Sequence, residues 1–345
     1  MNSAGSKSRL APLALTVGEP SGIASEITLR AWLLRESHAL PCFFLLDEAR
    51  WVAESAKALG LDVPIREIER PEQAHNCFND ALPILSHGVV RDEASPGHPS
   101  PANAPAIIRS IERAVTLAQD GHAAAVVTNP INKKSLMDFG FAHPGHTEYL
   151  GELAGPGHRP VMMLVSPALR VIPVTVHVPL SQVPDLLTRE AIETACRTAA
   201  QALKRDFGIA EPRIAVSGLN PHAGEQGNIG REEIEIINPA IAAMKAEGLS
   251  VFGPVPGDTL FHAAARETYD VALCMYHDQA LIPLKTLDFD RGVNVTLGLP
   301  FIRTSPDHGT ALGIAGKGMA SPISLIESLK LAGQMAYRRS WVDAA

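Results

Sequence analysis

Short apolar runs alternate with amphipathic stretches along most of this chain, and that alternation leaves few folds open. The runs Leu13–Val17, Cys42–Leu46, Ala123–Thr128, Val161–Val165, Val171–Val176, Arg213–Ser217 and Asp270–Met275 are too short for helices and are expected to be strands. In Asn103–Gln119 the residues Ile107, Ile108, Ile111, Ala114, Val115 and Ala118 recur at helical spacing, and Gly121 follows as a stop. A second stripe, Ile192, Cys196, Ala199 and Leu203, runs through Arg189–Phe207 and ends before Gly208. Near the end, Ser321-Pro322 opens a helix through Ile323, Ile326, Leu329 and Ala332. Strands and helices in alternation predict an α/β fold with a mostly parallel sheet. Ligands of such folds bind at loops beyond the carboxyl ends of strands. The Pro-, Ser- and Gly-rich segment from Asp92 to Pro105 reads as a surface crossover.

The chain has 345 residues, enough for two α/β lobes with a buried core. Its 46% hydrophobic and 19% charged residues exclude disorder as the general state. The formal net charge is −7 and no Lys/Arg run stands out, so neither nucleic acid nor a basic arm is expected. An acidic protein that binds an anion must gather its cations locally. No apolar segment reaches the length of a membrane span, and Met1–Ala11 is polar with no h-region after it. Cys42, Cys77, Cys196 and Cys274 are scattered without ligand spacing, which suits reduced thiols in the cytoplasm.

Five loops hold most of the polar information. Gly18-Glu19-Pro20-Ser21-Gly22-Ile23 follows the first strand; it lacks G-x-G-x-x-G, and a tight turn or a ligand loop fits it equally. Thr128–Lys133 and then Gly145-His146-Thr147-Glu148 offer a hydroxyl, an imidazole and free N–H groups at a helix start, either an anion cradle or a plain helix cap. His177, His222 and His277 each follow a strand. One such histidine is ordinarily a structural residue, but three at equivalent positions can hold zinc, cobalt or a similar ion with a site left open for substrate. Lys285, Asn294 and Arg303 then flank a Gly-rich stretch that could supply the cationic cluster for an anionic substrate.

The blocks GEPSGIASE, TNPINKKSL, PGHTEYL, TVHVPL, GLNPHAGEQGNIGREE, GPVPGDTLF, MYHDQALIPLK and GVNVTLGLPFIRTSPDHGTALGIAGKG, taken together, resemble the 4-hydroxythreonine-4-phosphate dehydrogenase (PdxA) family from about Gly18 to Ala336. The stretch from His308-Gly309-Thr310 to Ala320 also resembles the adenosine-binding loop of the wider isocitrate/isopropylmalate dehydrogenase-like superfamily, which binds NAD without a Rossmann fold. The one departure is Ala24-Ser25, where the family usually has Gly-Pro.

The resemblance implies two α/β/α lobes with a cleft between them. Residues 1–136 with 305–345 would form a cofactor-side lobe, and residues 137–304 a metal- and dimer-forming lobe. It implies one divalent metal (Zn, Co or Mg) held by His177, His222 and His277, with ligands from both subunits of a homodimer. Substrate contacts would come from His146, Thr147, Lys285, Asn294 and Arg303, and NAD or NADP would meet Gly18, Glu19, Asp307, His308, Gly309 and Thr310. Lys285 is a candidate catalytic residue, and Asp258 and Asp278 either orient a ligand and relay a proton or are ordinary cap residues. The implied reaction oxidises 4-phosphooxy-L-threonine to 2-amino-3-oxo-4-phosphooxybutanoate, which decarboxylates to 3-amino-2-oxopropyl phosphate in vitamin B6 biosynthesis. Phosphorylated threonate or erythronate and aromatic dihydrodiols are the alternative substrates. A sensor on a retired dehydrogenase scaffold is the rival outside enzymes, and the intact His308-Gly309-Thr310 loop speaks against it.

Overall fold

The computed structural model describes residues 10–143 and 145–342, so much of the polar start Met1–Ala11 lies outside the described residues. The chain divides into two compact units, residues 1–154 with 300–345 and residues 155–299. The boundaries expected from sequence, 136/137 and 304/305, fall elsewhere. The helix His146–Leu153 belongs to the first unit, where the Tyr149 hydroxyl donates to Glu112 at 2.9 Å.

The first unit begins with strands β1 (Leu13–Thr16), β2 (Phe43–Leu46), β3 (Ile65–Ile68), β4 (Leu82–Leu85) and β5 (Val126–Val127). The second unit contains β6 (Val161–Val165), β7 (Arg170–Pro173), β8 (Arg213–Ser217), β9 (Ser250–Val255), β10 (Val271–Cys274) and β11 (Val293–Leu297). The chain then returns to the first unit through β12 (Arg303–Pro306). In the first unit the order is β3-β4-β2-β1-β5-β12, parallel throughout, with Leu13 opposite Phe43 and Val126 opposite Arg303. In the second it is β11-β6-β7-β10-β8-β9, with antiparallel pairing only at β11-β6 and β6-β7.

The expected α/β class and largely parallel pairing are therefore present. Strands β1 and β2 are buried along their whole length, as apolar strands covered on both faces should be. The expected helices appear as Ala104–Gln119, Arg189–Arg205 and Ile323–Val342. Ser110, a polar interruption in the first of these, is fully buried. Its hydroxyl accepts from Val17 N–H and donates to Leu46 O, both at 3.0 Å, fixing the chain as it leaves β1 for the first glycine loop. In the second unit Leu164, Val171, Ala272, Cys274, Leu281 and Leu284 share one core, each large aliphatic side chain contributing about 1.5–3 kcal/mol. That core seats β7 and β10 and the helix His277–Leu287 that follows β10.

Candidate active site

In the first unit the glycine loop after β1 is pinned from several sides. Gly18 has φ +73°, and a β-carbon there would lie 2.6 Å from Asn129 Cβ, so the turn demands glycine. Glu19 is fully buried; its carboxylate accepts from Ser21 N–H at 3.0 Å and from the Ser135 hydroxyl at 3.2 Å. Burial pushes its pKa up, and these hydrogen bonds pull against that rise. Ile23 N–H donates to Thr310 O at 3.1 Å, and a β-carbon on Gly22 would come within 2.8 Å of the same oxygen. Gly18, Glu19 and Thr310 are thus brought into one assembly of loops. The Asp92–Pro105 segment joins it, because Gly97 N–H donates to Ser21 O at 2.8 Å. The hydroxyl of Ser21 and Nε2 of His308 are buried with no hydrogen-bond partner among the described residues, polar atoms that a bound ligand could satisfy. Asp307 N–H donates to the Ser324 hydroxyl at 3.2 Å, anchoring the entry to the His308–Thr310 loop.

A second cluster in the same unit surrounds the N-terminus of the helix His146–Leu153. Arg303, on β12, is 2% exposed and its Nη2 donates to the Thr128 hydroxyl at 2.7 Å. Burial lowers its pKa to about 10. His146 is enclosed, and burial, then the Arg303 and Lys133 charges, hold its pKa well below the usual histidine range. The imidazole is therefore neutral at physiological pH, with a buried Nε2 that has no hydrogen-bond partner among the described residues. Thr147 is half-buried in the first turn. Lys133 approaches from the first turn of the preceding helix, Lys133–Phe139, its Nζ 3.5 Å from where a Gly145 β-carbon would stand. A helix N-terminus, two cations and a neutral imidazole make an anion site. Lys133 was visible in TNPINKKSL but carried no signal of its role, since only the fold returns that loop to residue 146.

In the second unit the segments after β7 and β10 run side by side: Val174 N–H donates to Cys274 O at 2.8 Å and the Thr175 hydroxyl to Met275 O at 2.8 Å. This brings the His177 and His277 rings to a centroid distance of 5.7 Å. They line a cavity of about 240 Å3 with Val176, Val178, Leu180, Val183, Tyr276 and Asp278. Asp278 lies 2.7 Å from Nδ1 of His277. A carboxylate accepting from Nδ1 in this contact would orient the ring and direct Nε2 to a metal.

His222 stands apart from this pair. It is exposed on a left-handed run, with φ of 52° at His222, 52° at Ala223 and 42° at Glu225. Non-glycine residues avoid that region at roughly 1–2 kcal/mol each. The buried Glu233 carboxylate holds the neck of the run, accepting from Leu219 and Asn220 N–H, both at 2.8 Å. Among the described residues no three His, Cys, Asp or Glu side chains are grouped to hold a metal ion. The imidazole pair suits a transition ion but leaves it short of ligands within one chain.

The remaining candidates are dispersed over the second unit. Lys285 is half-buried on the helix that His277 begins, its Nζ 5.6 Å from the Phe289 ring centroid. Asn294 lies on β11, and its Oδ1 is buried without a hydrogen-bond partner. Asp258 is exposed in the short helix Gly257–Leu260, and no hydrogen bond links it to the histidine pair.

Cys77, Cys196 and Cys274 are outside any disulfide among the described residues. Burial pushes Cys196 up to about 12 and Cys274 higher still, so neither is a nucleophile at neutral pH.

Residues 39–332 match the family described as pyridoxal phosphate biosynthetic protein PdxA. The chain is 55% identical over 332 residues, 95% of each chain, to the 4-hydroxythreonine-4-phosphate dehydrogenase of Methylorubrum populi. A solved structure of the enzyme of that name from Klebsiella pneumoniae is similar at 38% identity and a TM-score of 0.83, covering 94% of this chain and 99% of that one. A terephthalate 1,2-cis-dihydrodiol dehydrogenase from Burkholderia xenovorans is more distant, at 26% identity and a TM-score of 0.64 over 94% and 98% of the two chains. With loops and residues matched over nearly its whole length, the chain belongs to the pyridoxal phosphate biosynthetic PdxA family.

Proposed function

We propose that this protein is a nicotinamide- and divalent-metal-dependent dehydrogenase that oxidises the secondary hydroxyl of 4-phosphooxy-L-threonine. The observation that carries the phosphate requirement is the His146 cluster: buried Arg303, nearby Lys133 and the helix N-terminus gather positive charge in a protein of net charge −7. A dihydrodiol without an anionic substituent would leave that cluster without a counter-ion, at a cost. The oxidation product, 2-amino-3-oxo-4-phosphooxybutanoate, is a β-keto acid and loses carbon dioxide to give 3-amino-2-oxopropyl phosphate.

In this mechanism His146, Thr147, Lys285, Asn294 and Arg303 bind and orient the substrate. Neutral His146 exchanges a hydrogen bond without adding charge, while Arg303 meets the phosphate as a fixed cation. His177, His222 and His277 would hold the metal, with His222 supplied by the second copy in a homodimer whose sites are shared. Bound there, a zinc, cobalt or magnesium ion would act as a Lewis acid that lowers the pKa of the substrate hydroxyl. Asp278 fixes the tautomer of His277. Lys285 and Asp258 are assigned to proton movement near the reacting carbon.

The loops carrying Gly18, Glu19, Asp307, His308, Gly309 and Thr310 would hold NAD or NADP, which accepts the hydride. Their unsatisfied Ser21 and His308 atoms and close glycine packing fit such a group. A nicotinamide enzyme works where that cofactor pool is, so the cytoplasm is the proposed location. No helix among the described residues is long and apolar enough to cross a membrane.

A panel of 4-phosphooxy-L-threonine, 4-phosphoerythronate, 4-phosphothreonate and a cis-dihydrodiol, each with NAD or NADP and a divalent metal, tests the proposal through nicotinamide absorbance. Reduction fastest with the amino acid phosphate is expected. Faster turnover of a hydroxy acid phosphate or of the dihydrodiol would replace the proposed substrate.

A further inference from the structure

At the opposite ends of the two strands whose carboxyl ends lead to His177 and His277, Arg170 opens β7 and Asp270 directly precedes β10. A separate cavity of about 180 Å3 lies there, lined by Ser166, Leu169, Arg170, Arg266, Tyr269 and Asp270 among others. Arg170 donates from Nη1 to the backbone oxygen of Asp270 at 3.1 Å, and Arg266 from Nη1 to Ala168 O at 3.0 Å. A guanidinium offers five N–H donors, and among the described residues each of these two uses one. Nε of each is buried with no hydrogen-bond partner among the described residues.

Among the described residues neither arginine is in an ion pair. The one carboxylate in the lining, Asp270, is held by Arg213, whose Nε and Nη2 reach it at 3.2 and 3.1 Å and whose N–H donates at 2.8 Å. Three arginines thus face one aspartate. Arg170 is further enclosed against the Phe207 ring, 5.4 Å away, and burial lowers its pKa while Asp270 raises it. Two half-buried cations with unanswered donors lose hydration while the one nearby carboxylate is already engaged by Arg213, an arrangement that an anion stabilises. At roughly 30 Å3 per water the cavity holds about six waters, which suits a tetrahedral oxyanion and excludes a nucleotide.

We propose that the Arg170–Arg266 cavity is a binding site for a small phosphate-class anion, separate from the substrate site. Arg170 and Arg266 supply the charge, with the Ser166 hydroxyl, which now accepts from Ala168 N–H at 3.2 Å, as a further polar group in the wall. This inference does not depend on the dehydrogenase substrate, because none of these residues belongs to the proposed catalytic set.

The test is titration calorimetry with inorganic phosphate at constant ionic strength, on the full-length protein and on Arg303→Ala, which removes a proposed substrate-phosphate contact. Arg303→Ala should still bind one phosphate per chain. Adding Arg170→Met or Arg266→Met should weaken that binding roughly 10- to 100-fold, the loss expected for one charge-assisted contact. Competition by methyl phosphate would identify a phosphorylated metabolite as an admissible ligand, whereas inorganic phosphate binding alone would identify the free ion; both support the site. Unchanged affinity in the two Met variants, or loss of self-association in place of phosphate binding, would overturn it. Crystals of the unaltered protein soaked in selenate give a reading independent of how the variants fold. Anomalous density between Arg170 and Arg266 is required, and its absence at saturating selenate ends the proposal.

Discussion

The His146 region of the first unit and the His177–His277 region of the second treat their polar groups in opposite ways. Around His146 the principal charge is buried and already placed: Arg303 is 2% exposed and bonded to Thr128, and burial, then the Arg303 and Lys133 charges, keep His146 neutral. Around His177 and His277 the side chains are exposed or half-exposed, one carboxylate orients one ring, and the third histidine lies on a separate loop. A preformed anion cradle costs desolvation during folding but needs no reorganisation when phosphate arrives. An open pair of imidazoles costs the fold little and, on the proposed assembly, would leave the final geometry to a bound metal and a second copy. The contrast predicts that damage to the first region disturbs both folding and substrate binding, while damage to the second disturbs catalysis alone.

Removing the metal is the strongest way to break this contrast. Chelation, or His277→Ala, should reduce turnover to background with little change in thermal unfolding, and zinc or cobalt should restore only the chelated protein. Metal content, activity and unfolding temperature measured side by side decide it. A monomer fully active at assay concentration would show that a single chain completes the set.

Arg303→Ala should raise KM for the phosphorylated substrate by about 10- to 150-fold, equivalent to 1.5–3 kcal/mol. It should also lower stability, because the residue is buried, and bring the His146 pKa closer to normal. A KM effect without any loss of stability would mean that the cradle is not built into the fold.

Asp278→Asn should weaken metal affinity by roughly 10- to 100-fold while sparing the fold, as loss of an orienting partner does. Asp258→Asn, with no such contact, should have a much smaller effect on metal affinity. A metal titration of both variants sharpens the assignment between the two acids.

The smallest effect concerns pH. His146 has a depressed pKa in the folded chain, so below about pH 6.5 the unfolded chain takes up a proton that the folded chain refuses. Stability should therefore fall as pH drops below that value, by at most about 1.4 kcal/mol per pH unit from this residue. Buried His87, also depressed chiefly by burial, adds to the trend. Denaturant unfolding of His146→Gln at pH 7 and 5.5 should show a shallower loss than the unaltered chain; equal slopes would mean that His146 is not buried in solution.

Much of the fold was legible as apolar runs, and the exceptions have physical causes. Strand β12 reads as Arg-Thr-Ser-Pro, which resembles a loop, yet it is wholly buried because Thr128 and Ser328 O accept its polar hydrogens. Strand β9 contains Gly-Pro, and edge strand β3 has two exposed charged residues, so neither presents a buried run. The histidines stood out because they follow strands, and the pairing of His177 with His277 follows from the adjacency of β7 and β10. The position of His222 could not be read that way, because a left-handed run carries it beyond the direction its strand sets. Lys133 and the Arg170–Arg266 pair depend on long-range packing that periodicity does not encode.

The division of the chain also bears on biosynthesis. The second unit is one unbroken stretch, residues 155–299, whereas the first is completed only by residues 300–345. As the polypeptide emerges from the ribosome, β5 presents an unpaired edge until Arg303–Pro306 is made, and the helix Ile323–Val342 follows later still. The later-made unit can therefore finish folding first, while the earlier strands wait as an exposed β-edge on which a nascent chain is most vulnerable to misassociation.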